Sequence, residues 1–213
     1  MSITDKIVRE CRKPTGRWGR FVLHRMNSWH SKLTDWGLSH LSIPANATIL
    51  DIGCGGGRTI TKLAKLAPDG KIFGVDYSDD SVAIARKTNA KLIKTGRVEI
   101  SPGFVSQLPF ENSRFDLVTA VETHFFWPDL GADLREVLRV LKPGATFIII
   151  AEVYKGGQKM AGKLVEKYIH HSGMLILTPE EHREFLEKAD YSDVRVTAIP
   201  EKGWICATGR KPL

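Results

Sequence analysis

The run Ile49-Leu50-Asp51-Ile52-Gly53-Cys54-Gly55-Gly56-Gly57-Arg58-Thr59 decides how this chain folds. It opens as a mostly apolar stretch of strand length, turns through glycines, and enters a helical pattern at Arg58. Glycines let a backbone approach a bound molecule closely, and the helix N-terminus beyond them presents N–H groups with no partner inside the helix. A nucleotide or nucleoside cofactor belongs at such a turn. A dinucleotide fingerprint would place a third glycine at 58, beside a pyrophosphate; Arg58 stands there instead. Asp51, two residues before Gly53, puts a carboxylate close to the cofactor, which suits one carrying an ammonium and a sulfonium.

Downstream, Ile72-Phe73-Gly74-Val75-Asp76-Tyr77-Ser78 reads as a second strand ending in a carboxylate 23 residues after Gly53. An acidic side chain there accepts hydrogen bonds from both hydroxyls of a ribose, and Tyr77 is placed to lie along the attached base. Further strands are expected at 48–52, 71–76, 98–100, 115–121 and 146–151. Helical stretches at 58–67, 80–94 and 129–141 fall between them, stopped by Pro68-Asp69-Gly70, Gly96 and Lys142-Pro143-Gly144. This alternation implies an α/β, doubly wound, mostly parallel sheet covered on both faces.

The tail breaks the alternation. Thr178-Pro179-Glu180-Glu181 supplies an N-cap, a first-turn proline and a capping-box glutamate for a helix to about Ala189. Val194–Ile199 and Gly203–Gly209 then read as strands joined by Pro200-Glu201-Lys202, a link short enough only for an antiparallel hairpin. Residues 154–177 exceed an ordinary connection and are read as a helical insertion over the ligand site. Ahead of the sheet, Leu23, Met26, His30, Leu33 and Trp36 recur at helical spacing. Residues 1–44 are thus expected to form a helical cap or lid presenting Met26, Asn27 and His30, with the main domain over 45–213.

At 213 residues and 42% hydrophobic, the chain suits one globular domain. It contains no apolar run of the roughly 18–20 residues a membrane helix requires. Its start has no signal-peptide core. Cys11, Cys54 and Cys206 are too scattered for a disulfide framework or a paired-cysteine zinc site, so a cytoplasmic location and no metal are expected. The net charge of +7 is concentrated at the front, where residues 1–40 hold eight Lys/Arg against three acids.

Taken in order, Asp51-x-Gly53-x-Gly55-x-Gly57, the Asp76 strand end, Leu108-Pro109-Phe110 and Leu141-Lys142-Pro143-Gly144 resemble the class I S-adenosylmethionine-dependent methyltransferases of the small-molecule type. The resemblance covers roughly residues 45–152 and fits the closing hairpin. It implies a Rossmann-like seven-stranded sheet, S-adenosylmethionine as cofactor and S-adenosylhomocysteine as product. It also implies that Asp51, Gly53, Cys54, Gly55 and Gly57 hold the methionine part while Asp76 and Tyr77 hold the adenosine. Similar members often carry Gly-Asp before Leu-Pro-Phe, the Asp taking the adenine amino group; here the pair is Gly103-Phe104, so the adenine contact passes to Gly103, Phe104, Val105 or the Ser106 hydroxyl.

The fourth strand runs out through Val121-Glu122-Thr123-His124-Phe125-Phe126-Trp127-Pro128, and its end should face the transferred methyl group. Glu122 and His124 are the candidates for orienting the acceptor or removing its proton, with Val121 beside the cofactor and Phe126 and Trp127 walling the pocket. The alternative is that Glu122 bonds backbone amides and His124 lies on the surface. The expected acceptor is a small molecule, because the chain leaves little room for a macromolecule-binding domain. Competing readings are an RNA or protein methyltransferase docking through the basic N-terminus, or a non-catalytic sensor of the cofactor. A dehydrogenase is disfavoured by Arg58.

Overall fold

The computed structural model describes residues 31–158 and 173–213. Met26, Asn27 and His30 lie outside them, as does the middle of the expected insertion; residues 154–158 and 173–177 contain turns, a bend and irregular chain. Strands β1 (Thr48–Ile52), β2 (Lys71–Asp76), β3 (Val98–Pro102), β4 (Phe115–Val121), β5 (Leu141–Ala151), β6 (Ser192–Ile199) and β7 (Trp204–Arg210) form one sheet in the order β3-β2-β1-β4-β5-β7-β6. Pairs among β1–β5 are parallel, and β7 runs antiparallel to both β5 and β6, as the short hairpin link demands. The chain winds outward from β1 to β3, then returns to place β4 on the other side of β1. That reversal opens a crevice beyond the C-terminal ends of β1 and β4.

Six helices occupy the described residues: α1 (Ser31–Leu38), α2 (Arg58–Leu66), α3 (Asp79–Thr88), α4 (Ala90–Lys94), α5 (Leu130–Val140) and α6 (Pro179–Lys188). Their ends carry local signals. Ser78 and Asp129 accept first-turn amides at the starts of α3 and α5, and Thr178 with Glu181 completes a capping box on α6. The period-two alternation of buried strands sends Leu50 and Ile52 to a core shared with α5 and α6, and Ile49 to one shared with α1, α2 and α3. α1 sits so close on β5 that a Cβ at Gly37 would overlap the Ile150 side chain.

Two elements differ from expectation. The single helix expected over 80–94 is divided at Asn89, whose backbone leaves helical geometry while its side chain turns into the protein. Strand β5 begins at Leu141, before the Lys142-Pro143-Gly144 segment expected to precede it. Leu141 pairs with Phe115, and the register then slips before Thr146 pairs with Leu117. Proline is tolerated at such an irregularity, where no ladder N–H is required of it.

Candidate active site

The glycine turn is assembled by backbone hydrogen bonds. The amides of Gly53 and Cys54 both donate to the Val75 carbonyl, at 2.8 and 3.0 Å. Gly53, Gly55 and Gly57 all have positive φ, a region that side-chain-bearing residues enter at a cost of about 1–2 kcal/mol. At Gly53 a Cβ would overlap the Thr123 hydroxyl; at Gly57 it would come within 2.5 Å of Asn89 Nδ2. Asn89 braces this turn, donating from Nδ2 to the carbonyls of Gly57 and Ala85 and accepting from the Thr61 hydroxyl. Cys54 is buried, with its sulfur toward Gly74 and its thiol pushed up by burial, so it fills the turn as an inert side chain.

Asp76 closes the turn from the end of β2. One carboxylate oxygen accepts from Gly55 N and the other from Ser78 N, both at 2.9 Å. Burial lifts its pKa above the ordinary value, against the lowering effect of these bonds and of Ser81. Asp51 is deeper, 2% exposed on β1, and accepts from the Thr119 hydroxyl at 2.6 Å. Burial raises its pKa to about 7, the Thr119 bond opposing and the neighbouring Asp76 charge reinforcing the rise.

At the mouth of β4, Glu122 takes the backbone-amide alternative and His124 lies inward rather than on the surface. Glu122 has a left-handed backbone, φ 58°, and its side chain accepts a hydrogen bond from Glu152 N at the end of β5. His124 is buried in a 3-10 turn (His124–Phe126), with Nε2 3.1 Å from Nε2 of His182 on α6. His182 Nδ1 lies 2.7 Å from the Thr178 carbonyl, so it carries the proton of a neutral ring and leaves Nε2 to accept from His124. His124 Nδ1 is then a buried lone pair without a partner. Burial lowers the pKa of both rings, and their mutual repulsion lowers that of His124 further.

A cleft of about 180 Å³ opens beside these groups. Ile52, Gly53 and Asp76 form its floor; Tyr77, Gly103, Phe104 and Val105 form one wall, and Thr123, Phe126, Trp127 and Pro128 the other. The structure therefore brings together Gly53, Asp76, Tyr77, Gly103, Phe104, Val105, Phe126 and Trp127. It leaves Asp51, Cys54, Gly55, Gly57, Val121, Glu122 and His124 off the described lining. For His124 the reason is the inward turn that pairs it with His182, which also removes it from the surface. Sequence reading missed Thr123 and Asn89, both of which reveal themselves only through contacts distant in sequence. A larger groove, about 380 Å³, lies near the start of β5 and is lined in part by His40, Arg195 and Arg210. It sits away from the glycine turn and the C-terminal strand ends, so the smaller cleft is the candidate site.

Among the described residues no cluster of potential metal ligands occurs, and no helix is long and apolar enough to cross a membrane. The family model for a methyltransferase domain matches residues 49–144. An O-methyltransferase of Pyrenophora dematioidea is 36% identical over 109 residues, 51% of this chain and 40% of that protein. A demethylmenaquinone methyltransferase of Lactiplantibacillus plantarum is 33% identical over 114 residues, 53% of this chain and 48% of that protein. The chain thus spans about half the length of these curated relatives. In fold, it resembles a Haloferax volcanii methyltransferase solved with the Trm112 methyltransferase activator, at TM-score 0.78 and 19% identity, covering 100% of this chain and 99% of that one. It also resembles phosphoethanolamine N-methyltransferase 2 of Haemonchus contortus in complex with S-adenosyl-L-methionine, at TM-score 0.79 and 16% identity, covering 100% of this chain and 61% of that one. With the strand order, the glycine turn and the acidic end of β2 already in place, these matches show that residues 49–144 form a methyltransferase domain, in a fold the chain shares with a methyltransferase solved with S-adenosyl-L-methionine.

Proposed function

We propose that this chain transfers a methyl group from S-adenosylmethionine to a small, largely apolar acceptor bound between the cofactor and the Phe126–Trp127 wall. The observation that carries the reading is a single cleft that joins Gly53, Asp76 and the aromatic mouth of β4. The residues fit the cofactor: Gly53 permits a backbone approach that a side chain would block, Asp76 offers carboxylate oxygens to a ribose, and Tyr77 offers a flat face. When bound, that cofactor supplies a carbon already activated by its sulfonium, so the work left to the protein is alignment and exclusion of water.

Phe126, Trp127 and Pro128 would exclude water from the acceptor side and favour a flat, apolar partner. The Thr123 hydroxyl, packed against Gly53, is placed to orient a polar atom on it. Glu122, tied to Glu152 N, would hold the ends of β4 and β5 in register rather than receive a proton. The curated relatives named O-methyltransferase and demethylmenaquinone methyltransferase support a small-molecule acceptor.

The test is transfer of labelled methyl from S-adenosylmethionine to a panel of phenols, quinols, amines and thiols, with mixed RNA and an unfractionated protein extract beside them. Transfer to a small apolar ring compound is expected. Label found only in RNA or protein would establish the macromolecular reading. Cofactor binding without transfer to any acceptor would favour a sensor.

A further inference from the structure

Phe104 stands out because it is a large aromatic residue left 64% exposed, yet it lines the cofactor cleft. Its ring centroid is 6.2 Å from that of Tyr77, with the planes 38° apart. Two exposed or half-exposed rings meeting at the mouth of a nucleoside cleft offer faces on which a flat base can stack, and such stacking is tolerant of base identity because every base has a π face.

Much of the nearby backbone is already engaged. Gly103 N donates to the Asp76 carbonyl at 3.1 Å, and Gln107 N to the Phe104 carbonyl at 3.2 Å. Burial raises the pKa of Asp133 and the Ser106 hydroxyl lowers it, so Ser106 stands beside that carboxyl. Asp76 is the one carboxylate on the described lining, and its two oxygens point to Gly55 N and Ser78 N at the strand end. Among the described lining residues no side-chain amide occurs and the one carboxylate, Asp76, is given to the ribose, so neither group is placed to accept a hydrogen bond from an exocyclic amino group on the base.

We propose that this site holds the cofactor's purine by its faces, with Phe104 and Tyr77 as the platform, and does not read the substituent at C6. The proposal rests on the cofactor reading above and adds to it a specificity. Because Phe104 is open to solvent, the outer edge of the base faces water, so an alkyl group on the amino nitrogen is accommodated as well as its removal.

The test is calorimetric binding of three probes to the purified chain. They are S-adenosylhomocysteine, its N6-methyl derivative, and the homocysteine adduct of unsubstituted purine riboside, which keeps the ring nitrogens and ribose but lacks the amino group. The three dissociation constants are expected to agree within about fivefold. Phe104→Ala, at an exposed position whose loss leaves thermal unfolding unchanged, should weaken all three together by about tenfold or more. Phe104→Asp should restore selection, favouring S-adenosylhomocysteine over the purine analogue by about tenfold or more. A wild-type preference beyond fivefold for the amino-bearing probe overturns the proposal, as does Phe104→Ala binding all three like wild type. Absence of any heat with S-adenosylhomocysteine itself would instead defeat the cofactor reading, and the platform with it.

Discussion

The glycine turn and the mouth of β4 meet at one cleft but are built on opposite plans. The turn is organised through main chain: amides of Gly53, Cys54, Gly55 and Ser78 are fixed by the Val75 carbonyl and the Asp76 carboxylate, and Asn89 braces the far side. At the mouth of β4, the ionisable side chains turn away, Glu122 to a backbone amide and His124 to His182, leaving hydroxyl and aromatic surfaces toward the cleft. The difference teaches that, on the proposed function, the grip on an activated methyl donor would be preorganised in backbone, while the acceptor side would select by shape.

The sharpest way to break this comparison is Gly53→Val. The substitution forces a branched residue to φ 67° and drives its Cβ into Thr123. S-adenosylhomocysteine binding should fall by about 100-fold or more, from backbone strain together with the overlap. Wild-type affinity in a folded variant would show that the turn is not the grip. Asp76→Ala comes next. Removing the carboxylate leaves the Gly55 and Ser78 amides without their partner and deletes the ribose acceptor, so affinity should drop by roughly 10- to 100-fold in the same titration.

Asp51 tests the turn's foundations through pH. Its folded-state pKa, about 7, stands above the ordinary 3.8, so the folded protein holds a proton there that the unfolded chain has released. The stability this contributes is complete below about pH 4 and is lost as pH rises through about 7. Denaturant unfolding should therefore show Asp51→Asn gaining on wild type by about 2 kcal/mol between pH 5 and pH 8. A pH-independent difference would mean that Asp51 is ionised throughout. Asn89→Leu should cost about 1–3 kcal/mol in urea unfolding, since it removes one hydrogen bond each from the Gly57 and Ala85 carbonyls and from the Thr61 hydroxyl and puts an apolar group among them.

The smallest effect is expected on the other side of the cleft. Glu122→Gln retains an oxygen for Glu152 N, so methyl transfer should stay within about threefold of wild type and its pH profile should not move. A large loss of kcat with unchanged cofactor affinity would restore Glu122 as a base. It would erase the contrast between the two regions.

The same contrast explains what could be read in the sequence. The seven strands and most helix ends were legible because each rests on local signals: apolar runs of strand length, the Thr178 capping box, and the short Pro200–Lys202 link. The turn was legible because positive φ at 53, 55 and 57 writes glycine into the chain at fixed spacing. Asn89 and Thr123 were not, for their partners lie on other elements and their residue types are ordinary. The burial of His124 was not legible for the same reason: what draws it inward is His182, 58 residues later. The start of β5 was set too late because proline and glycine at 143 and 144 read as a stop, where the strand absorbs them as an irregularity opposite Asp116.

A crystal structure of the chain grown with S-adenosylhomocysteine is the most direct measurement. The account predicts the ribose hydroxyls at hydrogen-bonding distance from Asp76, the homocysteine chain over Gly53, and the base against Tyr77 and Phe104. Density for the ligand in the groove by Arg195 and Arg210, or an empty glycine turn at millimolar ligand, would contradict it.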